Sequence, residues 1–284
     1  MDLPRVTRLE GVPAPAKLNL FLHVTGRRAD GYHLLQSAFR LIDRSDRLDF
    51  ALRRDGRIRR TSALPGVAEE HDLCLRAAHL LQRTSATTLG ADITLHKRLP
   101  YGGGLGGGSS DAATTLIALN RLWETGLSRS ELIELGARLG ADVPFFIFGR
   151  DAFVEGIGEI LQPLPLPPTW YVVVEPGVAV STAAIFTAPE LTRETKPLRI
   201  ADFAFGATRN DLQTVVCARH PEVAAAVEWL GHHASARMTG SGACVFAPVP
   251  TEAAAAALSR DCPPKWKAWY ARSLEQHPLH GWID

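Results

Sequence analysis

The chain has 284 residues, a formal net charge of +1, and 46% hydrophobic against 21% charged residues. This balance is ordinary for a globular protein, and the length suits two modest domains that bury a sizeable core. The small net charge argues against a general nucleic-acid surface, and no apolar run approaches the roughly 18 residues that span a membrane.

The N-terminus and the cysteines indicate the compartment. Asp2, Arg5, Arg8 and Glu10 place charge where a signal peptide would carry an apolar stretch. The four cysteines show neither metal-ligand spacing nor the density of a disulfide scaffold. We therefore expect a cytoplasmic protein with no membrane partner and no nucleic-acid partner.

The first hundred residues predict a sheet with one helix. Alternating apolar and polar residues over 12–24 predict a strand that carries Lys17 and Asn19 on one face. This strand is expected to end in a turn at 26–31. The next expected elements are strands at 33–42, 46–52 and 91–96, a helix at 72–83, and a hairpin turn at Asp55-Gly56 that leads into the run 57–62.

The most informative segment is 100–111, which reads PYGGGLGGGSSD and continues into an alanine-rich helical pattern. Its glycines expose backbone N–H groups to close approach by another molecule. Ser109 and Ser110 are N-cap candidates for a helix over about 109–124, with Asp111 in its first turn. A glycine loop that leads into a helix N-terminus binds phosphate through its amides and the helix dipole.

Three well-known phosphate loops fit this segment less well. Gly102, Gly104 and Gly107 match G-x-G-x-x-G, but the following helix leads into another helix rather than the second strand of a dinucleotide-binding unit. A Walker A loop ends in Gly-Lys-Ser/Thr, whereas this loop ends in Gly108-Ser109. The chain contains no His-Arg-Asp or Asp-Phe-Gly, so it is not a protein kinase.

The second half mixes helices and strands. Ser128 and Glu131 form a capping-box pattern for a helix that ends at Gly140, and an apolar run over 143–148 follows. The proline-rich stretch 163–168 divides the chain into an N-terminal nucleotide-binding domain, 1–162, and a C-terminal domain, 163–284. The expected later elements are strands near 171–174, 243–247 and 266–270 and helices near 211–219, 221–231 and 251–260. Because no βα rhythm repeats, the prediction is an α+β fold.

Four segments resemble the GHMP kinase superfamily. Residues 100–110 resemble its P-x-x-x-G-L-G-S/G-S-S motif, and PAKLNLFL at 15–22 and RMTGSGACVF at 237–246 resemble its first and third motifs. RRADGYH at 27–33 resembles the R-x-D-G-Y-H run of one branch of this superfamily. The enzymes of that branch phosphorylate a cytidine diphosphate sugar-alcohol in non-mevalonate isoprenoid biosynthesis. The resemblance implies two domains with the active site in the cleft between them. It also implies ATP and Mg²⁺ as cofactors and the 2-hydroxyl of that small molecule as acceptor.

Two residues are candidates for catalysis. Asp142 follows a helix end and precedes an apolar run, so partial desolvation should favour base behaviour, although a lone aspartate here also suits a turn or cap. Without the resemblance, Lys17 could equally be a lysine on an edge strand whose ammonium group lies in solvent. The resemblance implies that Asp142 is the base and that Lys17 orients it and stabilises the developing alkoxide.

The remaining candidates bind the two substrates. The resemblance implies that Asn19 and Asp142 contact the acceptor, that Tyr32 and His33 contact its cytosine, and that Phe186 closes the other face of the base. Without the resemblance, Tyr32 and His33 could also be the end of a turn and the start of a strand. The residues expected to hold ATP are Asp72, Leu73, Lys97, Pro100, Tyr101, Gly102, Gly103, Gly104, Leu105, Gly106, Gly107, Gly108, Ser109 and Ser110.

Some details depart from the family pattern or stay open. Tyr101 stands where a small or apolar residue is usual, and Asp72 stands where asparagine is expected. The second glycine-serine turn, 240–243, is expected to back the phosphates from the second domain. The sequence shows no carboxylate cage, so no metal ligand is assigned, and the oligomeric state is unknown.

Two alternative functions compete with this interpretation. Another small-alcohol kinase of the superfamily, of the homoserine or mevalonate type, leaves the Asp-Gly-Tyr-His run at 30–33 unexplained. A non-catalytic nucleotide sensor with the same loop would not need both Lys17 and Asp142.

Overall fold

The computed structural model describes residues 6–64 and 66–283, so the charged N-terminal residues Asp2 and Arg5 lie outside the described part. The strands are β1 Arg8–Arg27, β2 His33–Arg53, β3 Ile58–Arg60, β4 Gly90–His96, β5 Ala152–Glu155, β6 Ile160–Pro163, β7 Trp170–Glu175, β8 Arg237–Met238, β9 Val245–Val249 and β10 Lys267–Arg272. The helices are α1 Leu73–Ser85, α2 Gly107–Leu122, α3 Arg129–Ala137, α4 Val143–Phe148, α5 Thr182–Phe186, α6 Asp211–Arg219, α7 Pro221–Gly231 and α8 Glu252–Arg260.

The strands form two sheets. The first has the order β3-β4-β2-β5-β6, with β1 paired to β2, and is antiparallel except where β3 and β4 run parallel. The second sheet is antiparallel, with the order β10-β7-β9-β8. Helices that are not part of a βα repeat cover both sheets, so the predicted α+β class is confirmed.

Strand β1 positions the site because it runs through all three apolar cores. Val12 packs in the core under α1 to α4, Leu18 in a central core, and Val24 in the core under α6 to α8. Four register shifts between β1 and β2 let the strand bend from one core to the next. Lys17 and Asn19 lie on its central stretch, where the two halves of the molecule meet.

The C-terminal end of the chain returns to the first half. Leu274 N–H donates to the Leu41 carbonyl at 2.9 Å, and Leu279 and Ile283 are buried in the core under α1 to α4. The last ten described residues therefore pack with residues of the first half. The division of the chain at 162/163 stays a prediction.

Three local predictions were wrong. The two strands expected at 33–42 and 46–52 are one strand, β2. Asp55-Gly56 is not a hairpin turn: β1 and β4 already occupy both edges of this part of β2, so β3 pairs with β4 instead. Helix α2 begins at Gly107 with Gly106 as its N-cap, so Ser109 and Ser110 lie inside its first turn and do not cap it.

Candidate active site

A cavity of about 590 Å³ opens between the glycine loop, β1, the start of α4 and the turn 240–243. Most of the residues predicted for the site line it, namely Lys17, Asn19, Asp72, Leu73, Lys97, residues 100–109, Asp142 and Phe186. Ser110, Tyr32 and His33 are not in its wall. The structure thus gathers residues from distant parts of the sequence around one space.

The glycine loop is pressed between two neighbours, which explains its composition. Gly104 has φ +74°, and a Cβ built there would lie 2.1 Å from the Thr239 carbonyl oxygen. Gly106 has φ +70°, and its Cβ would lie 2.9 Å from Phe146 Cζ and 3.1 Å from Lys17 Cε. Side chains therefore do not fit at either position, and both backbone angles favour glycine.

The second glycine-serine turn lies directly on the loop. Thr239 Oγ donates to the Gly104 carbonyl at 3.1 Å, and Ala243 N–H donates to the Gly102 carbonyl at 3.2 Å. The two family motifs thus form one hydrogen-bonded unit. This unit fixes the conformation of the loop from the side of the second sheet.

Helix α2 points its N-terminus at the loop. Ser110 N–H donates to the Gly106 carbonyl at 2.8 Å, which closes the first turn. The three preceding amides have no acceptor within the helix and carry the positive end of the helix dipole. The Ser109 side chain lines the cavity, whereas Ser110 is fully buried and its hydroxyl has no partner. Ser109 therefore faces the cavity, whereas the Ser110 hydroxyl is enclosed and has no hydrogen-bond partner among the described residues.

A buried lysine and an accessible aspartate meet at the cavity wall. Lys17 Nζ lies 3.2 Å from Asp142 Oδ2, donates to Asn19 Oδ1, and sits 4.3 Å from the centre of the Phe39 ring. Asn19 Nδ2 in turn donates to Ser37 Oγ at 3.0 Å. The Lys17 side chain is 4% exposed and the Asp142 side chain 31% exposed. The pair therefore meets solvent at the carboxylate, which is only partly desolvated, as the sequence predicted.

A second buried ion cluster, which sequence reasoning missed, lies under the loop. Lys97 Nζ lies 2.6 Å from Asp46 Oδ2 and 2.7 Å from Asp111 Oδ2. Asp46 Oδ1 also accepts the Leu99 N–H at 2.8 Å, which ties the cluster to the start of the loop. Lys97 and Asp111 were singled out from the sequence, which carries no signal that Asp46 joins them.

Charges in this cluster depend on pH near neutrality. Burial raises the pKa of Asp111 to about 7, and the neighbouring Asp46 adds to this, although the Lys97 ammonium opposes it. Burial alone would lower the pKa of Lys97, but the two carboxylates outweigh it and raise that pKa. The ammonium thus stays charged while Asp111 can take up a proton near pH 7.

Asp72 supports the cavity wall from inside. Its Oδ1 accepts the Cys74 N–H at 2.8 Å as the N-cap of α1, and its Oδ2 lies 3.2 Å from Arg60. The residue is buried. Oδ1 therefore acts as a helix cap, whereas Oδ2 is paired with Arg60 by charge and has no hydrogen-bond partner among the described residues. The Arg60 guanidinium compensates the negative charge of an aspartate at a position where asparagine was expected.

Of the three predicted nucleobase residues, Phe186 lines the cavity and His33 packs against the Phe186 ring. The His33 ring centre lies 5.1 Å from that of Phe186, and the planes are tilted by 32°. Phe186 lines the cavity, whereas Tyr32 is 62% exposed. Tyr32 N–H donates to Asp30 Oδ1 at 3.2 Å, so the turn at 28–32 is held by its own hydrogen bonds.

The described residues contain neither a cluster of metal ligands nor a membrane-spanning helix. Nowhere in 6–64 and 66–283 do three histidine, cysteine, aspartate or glutamate side chains come together as metal ligands. Within the same ranges, none of the helices has the length and apolar character needed to cross a membrane.

Comparisons with known proteins agree with this geometry. The family model for the GHMP kinases N terminal domain matches residues 72–150, and the model for the GHMP kinases C terminal matches residues 190–267. The first match contains the glycine loop and Asp142, and the second contains the turn that packs on the loop.

Curated relatives match along the whole chain. The 4-diphosphocytidyl-2-C-methyl-D-erythritol kinase of Aromatoleum aromaticum is 64% identical and covers 100% of both chains. The enzyme of the same name from an Azoarcus species is 66% identical over 97% of this chain and 98% of its own.

Solved structures show the same fold. A crystal structure of 4-(cytidine 5'-diphospho)-2C-methyl-D-erythritol kinase superposes with a TM-score of 0.79 at 32% identity, covering 92% of this chain and 98% of that one. A mevalonate kinase from L. major, in complex with R-mevalonate, has a TM-score of 0.67 at 16% identity and covers 97% and 99%. The second likeness concerns the fold alone.

Proposed function

The chain belongs to the 4-diphosphocytidyl-2-C-methyl-D-erythritol kinases of the GHMP kinase family, and we propose that its cavity transfers the γ-phosphoryl group of ATP to the 2-hydroxyl of that erythritol compound. The observation that carries the proposal is the Lys17–Asp142 pair, which lies beside the glycine loop in one cavity. A phosphate cradle and an acceptor-activating pair are together what a small-molecule kinase needs.

The glycine loop and the start of α2 hold the triphosphate. Free amides and the helix dipole complement phosphate charge, and the close packing of Gly104 and Gly106 keeps the backbone in place. Lys97, anchored by two carboxylates, supports the loop from below and does not present a free ammonium. Leu73 and Tyr101 border the space that remains for the adenosine.

Asp142 accepts the proton of the acceptor hydroxyl. Its carboxylate reaches the cavity, while the Lys17 ammonium on its inner side orients it. As the hydroxyl loses its proton, negative charge grows on the attacking oxygen, and the same ammonium stabilises it in a water-poor setting. Asn19 holds Lys17 in this position and borders the acceptor.

The donors at the cavity fit a Mg²⁺ ion that arrives with ATP. Ser109 and the accessible Asp142 carboxylate are oxygen donors in the wall. Mg²⁺ keeps several waters and commonly uses one or two protein oxygens besides the phosphates. When bound, it would neutralise charge on the phosphate oxygens.

The cysteines agree with the proposed location. All four are unpaired, which suits the reducing cytoplasm that we propose as the location.

The alternative functions explain fewer residues. The homoserine and mevalonate kinase alternatives leave His33 and Phe186 without a role. A non-catalytic sensor leaves the buried Lys17 without one.

The test is a turnover assay with three acceptors. The purified chain, with Mg²⁺ and ATP, is given 4-diphosphocytidyl-2-C-methyl-D-erythritol, mevalonate or homoserine in turn. The proposal expects ADP formation with the first acceptor and background rates with the others. Faster turnover of mevalonate or homoserine would replace the proposed substrate, and no turnover with any acceptor would favour the sensor.

A further inference from the structure

A second cavity, of about 450 Å³, opens between helix α1 and the end of helix α3. It shares no lining residue with the cavity that contains Lys17 and Asp142. Its basic lining residues are Arg76, His79, Arg83 and Arg138, and its apolar ones are Leu80 and Leu139. We call this cavity the basic cleft, because no acidic residue lines it although the formal net charge of the chain is only +1.

Two helices supply the positive charges of the basic cleft. Arg76, His79 and Arg83 are spaced by three and four residues along α1, so they lie in one row on a single face of that helix. Arg138 is the C-cap of α3. The sequence separates Arg138 widely from α1, and the fold brings it to the same space.

The protein itself does not neutralise these arginines. The side chains of Arg76, Arg83 and Arg138 are exposed and make neither an ion pair nor a hydrogen bond to any residue of 6–64 and 66–283. Glu134, one turn before Arg138 on α3, is not paired with it. Elsewhere in the chain, Arg53 is bound by two carboxylates. The charges of the basic cleft therefore repel one another without an acidic partner among the described residues.

Helix dipoles account for two of the arginines but not for the third. Arg83 lies in the last turn of α1 and Arg138 caps the end of α3, where a positive charge complements the dipole. Arg76 is the fourth residue of α1 and lies near its N-terminus, where the dipole repels a guanidinium. Arg76 is thus unfavourable for the fold by itself, and a bound anion would offset this cost.

The chemistry of the basic cleft suits phosphate. A guanidinium is a planar fork that binds two phosphate oxygens at once and keeps its charge in proteins. A single phosphate group carries a charge of about −1.5 to −2, which is less than three guanidiniums supply. A diphosphate group carries more charge and presents oxygens on two phosphorus atoms to donors on two helices. The volume of the cleft is that of a small-molecule site.

We propose that the basic cleft of Arg76, His79, Arg83 and Arg138 binds a small molecule that carries a diphosphate group, at a site separate from the reaction cavity. The ligand bridges α1 and the end of α3, four residues before Asp142 in the sequence. This inference goes beyond the proposed function and does not rest on it, because no residue of the basic cleft lines the reaction cavity.

Inorganic pyrophosphate is the probe, and the His79 ring is the reporter. Burial lowers the pKa of His79, and the positive charge of Arg83 lowers it further. A diphosphate bound beside the ring opposes the arginine charge. In titrations of the whole chain followed by nuclear magnetic resonance, pyrophosphate should shift the His79 ring signals to saturation and raise the pKa of the ring. The His79 signals are assigned by comparison with His79→Gln.

The reporter distinguishes this site from the glycine loop, which can also bind pyrophosphate, because His79 does not line the reaction cavity. Inorganic phosphate should bind at the basic cleft at least about tenfold more weakly than pyrophosphate, since it forfeits one charged hydrogen bond or more. His79 signals that do not respond to pyrophosphate would overturn the inference. Equal affinities for the two anions would also overturn it, because the cleft would then attract anions by charge alone.

One arginine from each helix tests the binding residues. Arg76→Gln and Arg138→Gln should each weaken pyrophosphate binding at the His79 reporter by about tenfold or more, as loss of a hydrogen bond to a charged group would give. Arg76→Lys keeps the charge but loses the fork, so its affinity should lie between those of Arg76→Gln and the wild type. Full affinity in both glutamine variants would contradict the assignment.

A third arginine provides the matched control. Arg260 is exposed, lies in the last turn of α8 and lines neither cavity. Arg260→Gln removes the same charge and should leave pyrophosphate affinity unchanged. If Arg260→Gln weakens binding as much as Arg76→Gln, only the overall charge matters and the inference fails.

Thermal unfolding separates a binding role from a structural one. Because Arg76 is repelled by its neighbours and by the helix dipole, Arg76→Gln should not lower the melting temperature, as measured by circular dichroism. A clear loss of stability in this variant would make Arg76 a structural residue and overturn its assignment to a ligand.

The outcomes are independent of those for the proposed function. If the chain phosphorylates the erythritol substrate but pyrophosphate leaves the His79 signals unchanged, the inference alone fails. If the basic cleft binds pyrophosphate through Arg76 and Arg138 but no acceptor is phosphorylated, the basic cleft keeps its assignment and the proposed catalysis fails.

Discussion

At the scale of single residues, the stability of the site depends on how the buried positive charge of Lys17 is compensated. An ammonium that is almost fully buried is costly unless it is paired and hydrogen-bonded. Lys17 meets a carboxylate, an amide oxygen and an aromatic face at once. Its partner Asp142 keeps contact with solvent, so a carboxylate in the cavity wall is held against a buried positive charge.

Asp142→Asn tests that role most simply. The amide keeps the shape of the carboxylate but cannot accept a proton, so turnover should fall by about 10²–10⁴-fold, the usual range for loss of a general base. ATP affinity should be nearly unchanged, because the glycine loop is a separate element. Steady-state kinetics and nucleotide calorimetry check both, and a variant with near-normal turnover would remove Asp142 from the mechanism.

Tyr32→Ala tests the exposed side of the nucleobase site. If the Tyr32 ring stacks on cytosine when substrate binds, its loss should weaken binding by about 1–3 kcal/mol, which is about 5- to 150-fold. The Michaelis constant for the acceptor should rise at least as much as turnover falls. Tyr101, another exposed tyrosine, lies in the glycine loop, so Tyr101→Ala should affect ATP instead. Equal effects of Tyr32→Ala on both substrates would make Tyr32 a turn residue only.

At the scale of elements, the glycine loop 100–108 lies between helix α2 and the turn 240–243. The loop leads into α2 on one side, and the turn 240–243 packs on its backbone on the other. Below it, the cluster of Lys97, Asp46 and Asp111 joins β2, the end of β4 and α2. The loop is therefore held on both sides by hydrogen bonds and ion pairs, and we expect this to reduce the entropy that it would lose on binding a nucleotide.

Two glycines of the loop offer a matched pair of variants. Gly106 and Gly102 both have positive φ, +70° and +65°, so alanine strains the backbone similarly at each. A Cβ at 106 meets Phe146 and Lys17, whereas a Cβ at 102 meets nothing within 4 Å. Gly106→Ala should therefore lose far more ATP affinity and turnover than Gly102→Ala. Calorimetry and circular dichroism on both variants measure this, and equal losses would contradict the close packing of the loop.

Asp111→Asn tests the cluster under the loop through the pH dependence of stability. The folded pKa of Asp111, about 7, lies above the ordinary aspartate value of 3.8, so the folded state binds the proton more tightly. Between about pH 4 and pH 7 this group thus makes the free energy of unfolding fall as pH rises, by at most about 1.4 kcal/mol per unit. Asp111→Asn should remove that slope in urea titrations, and an unchanged slope would show that Asp111 does not titrate there.

At the scale of the whole molecule, the C-terminal residues pack against the first half of the chain: Leu274 N–H donates to the Leu41 carbonyl and His277 N–H to the Gly149 carbonyl. His277 is buried, and burial, with the charges of His280 and Arg129, lowers its pKa to about 3. Its Nδ1 accepts the Leu279 N–H at 3.1 Å. The tail is therefore held by a histidine that must be neutral.

His277 should contribute to acid unfolding. Because its folded pKa lies below the ordinary histidine value of 6.5, the stability it contributes is present above pH 6.5 and is lost as pH falls toward 3. His277→Gln removes the titrating ring and should flatten this part of the stability profile, measured by urea unfolding at several pH values. A variant whose acid slope equals that of the wild type would show that the ring is not buried as described.

The family, the fold class and the position of most elements could be predicted from the sequence, because glycine spacing, caps and alternation are local signals. The meeting of Lys17 with Asp142 and of residues 100–109 with the turn 240–243 followed from the family resemblance. The cluster of Asp46, Lys97 and Asp111 could not be predicted, because it joins residues far apart in sequence. The parallel pairing of β3 was missed for the same reason: it depends on which edges of β2 are already occupied.

The most direct test of the central claim is the product of one reaction. After the chain has consumed ATP in the presence of 4-diphosphocytidyl-2-C-methyl-D-erythritol, ³¹P and ¹³C nuclear magnetic resonance locates the new phosphate. The account predicts a new phosphomonoester on the 2-hydroxyl, an intact diphosphate bridge to cytidine, and one ADP formed for each ester. A phosphate on another hydroxyl, or release of inorganic phosphate in place of an ester, would contradict it.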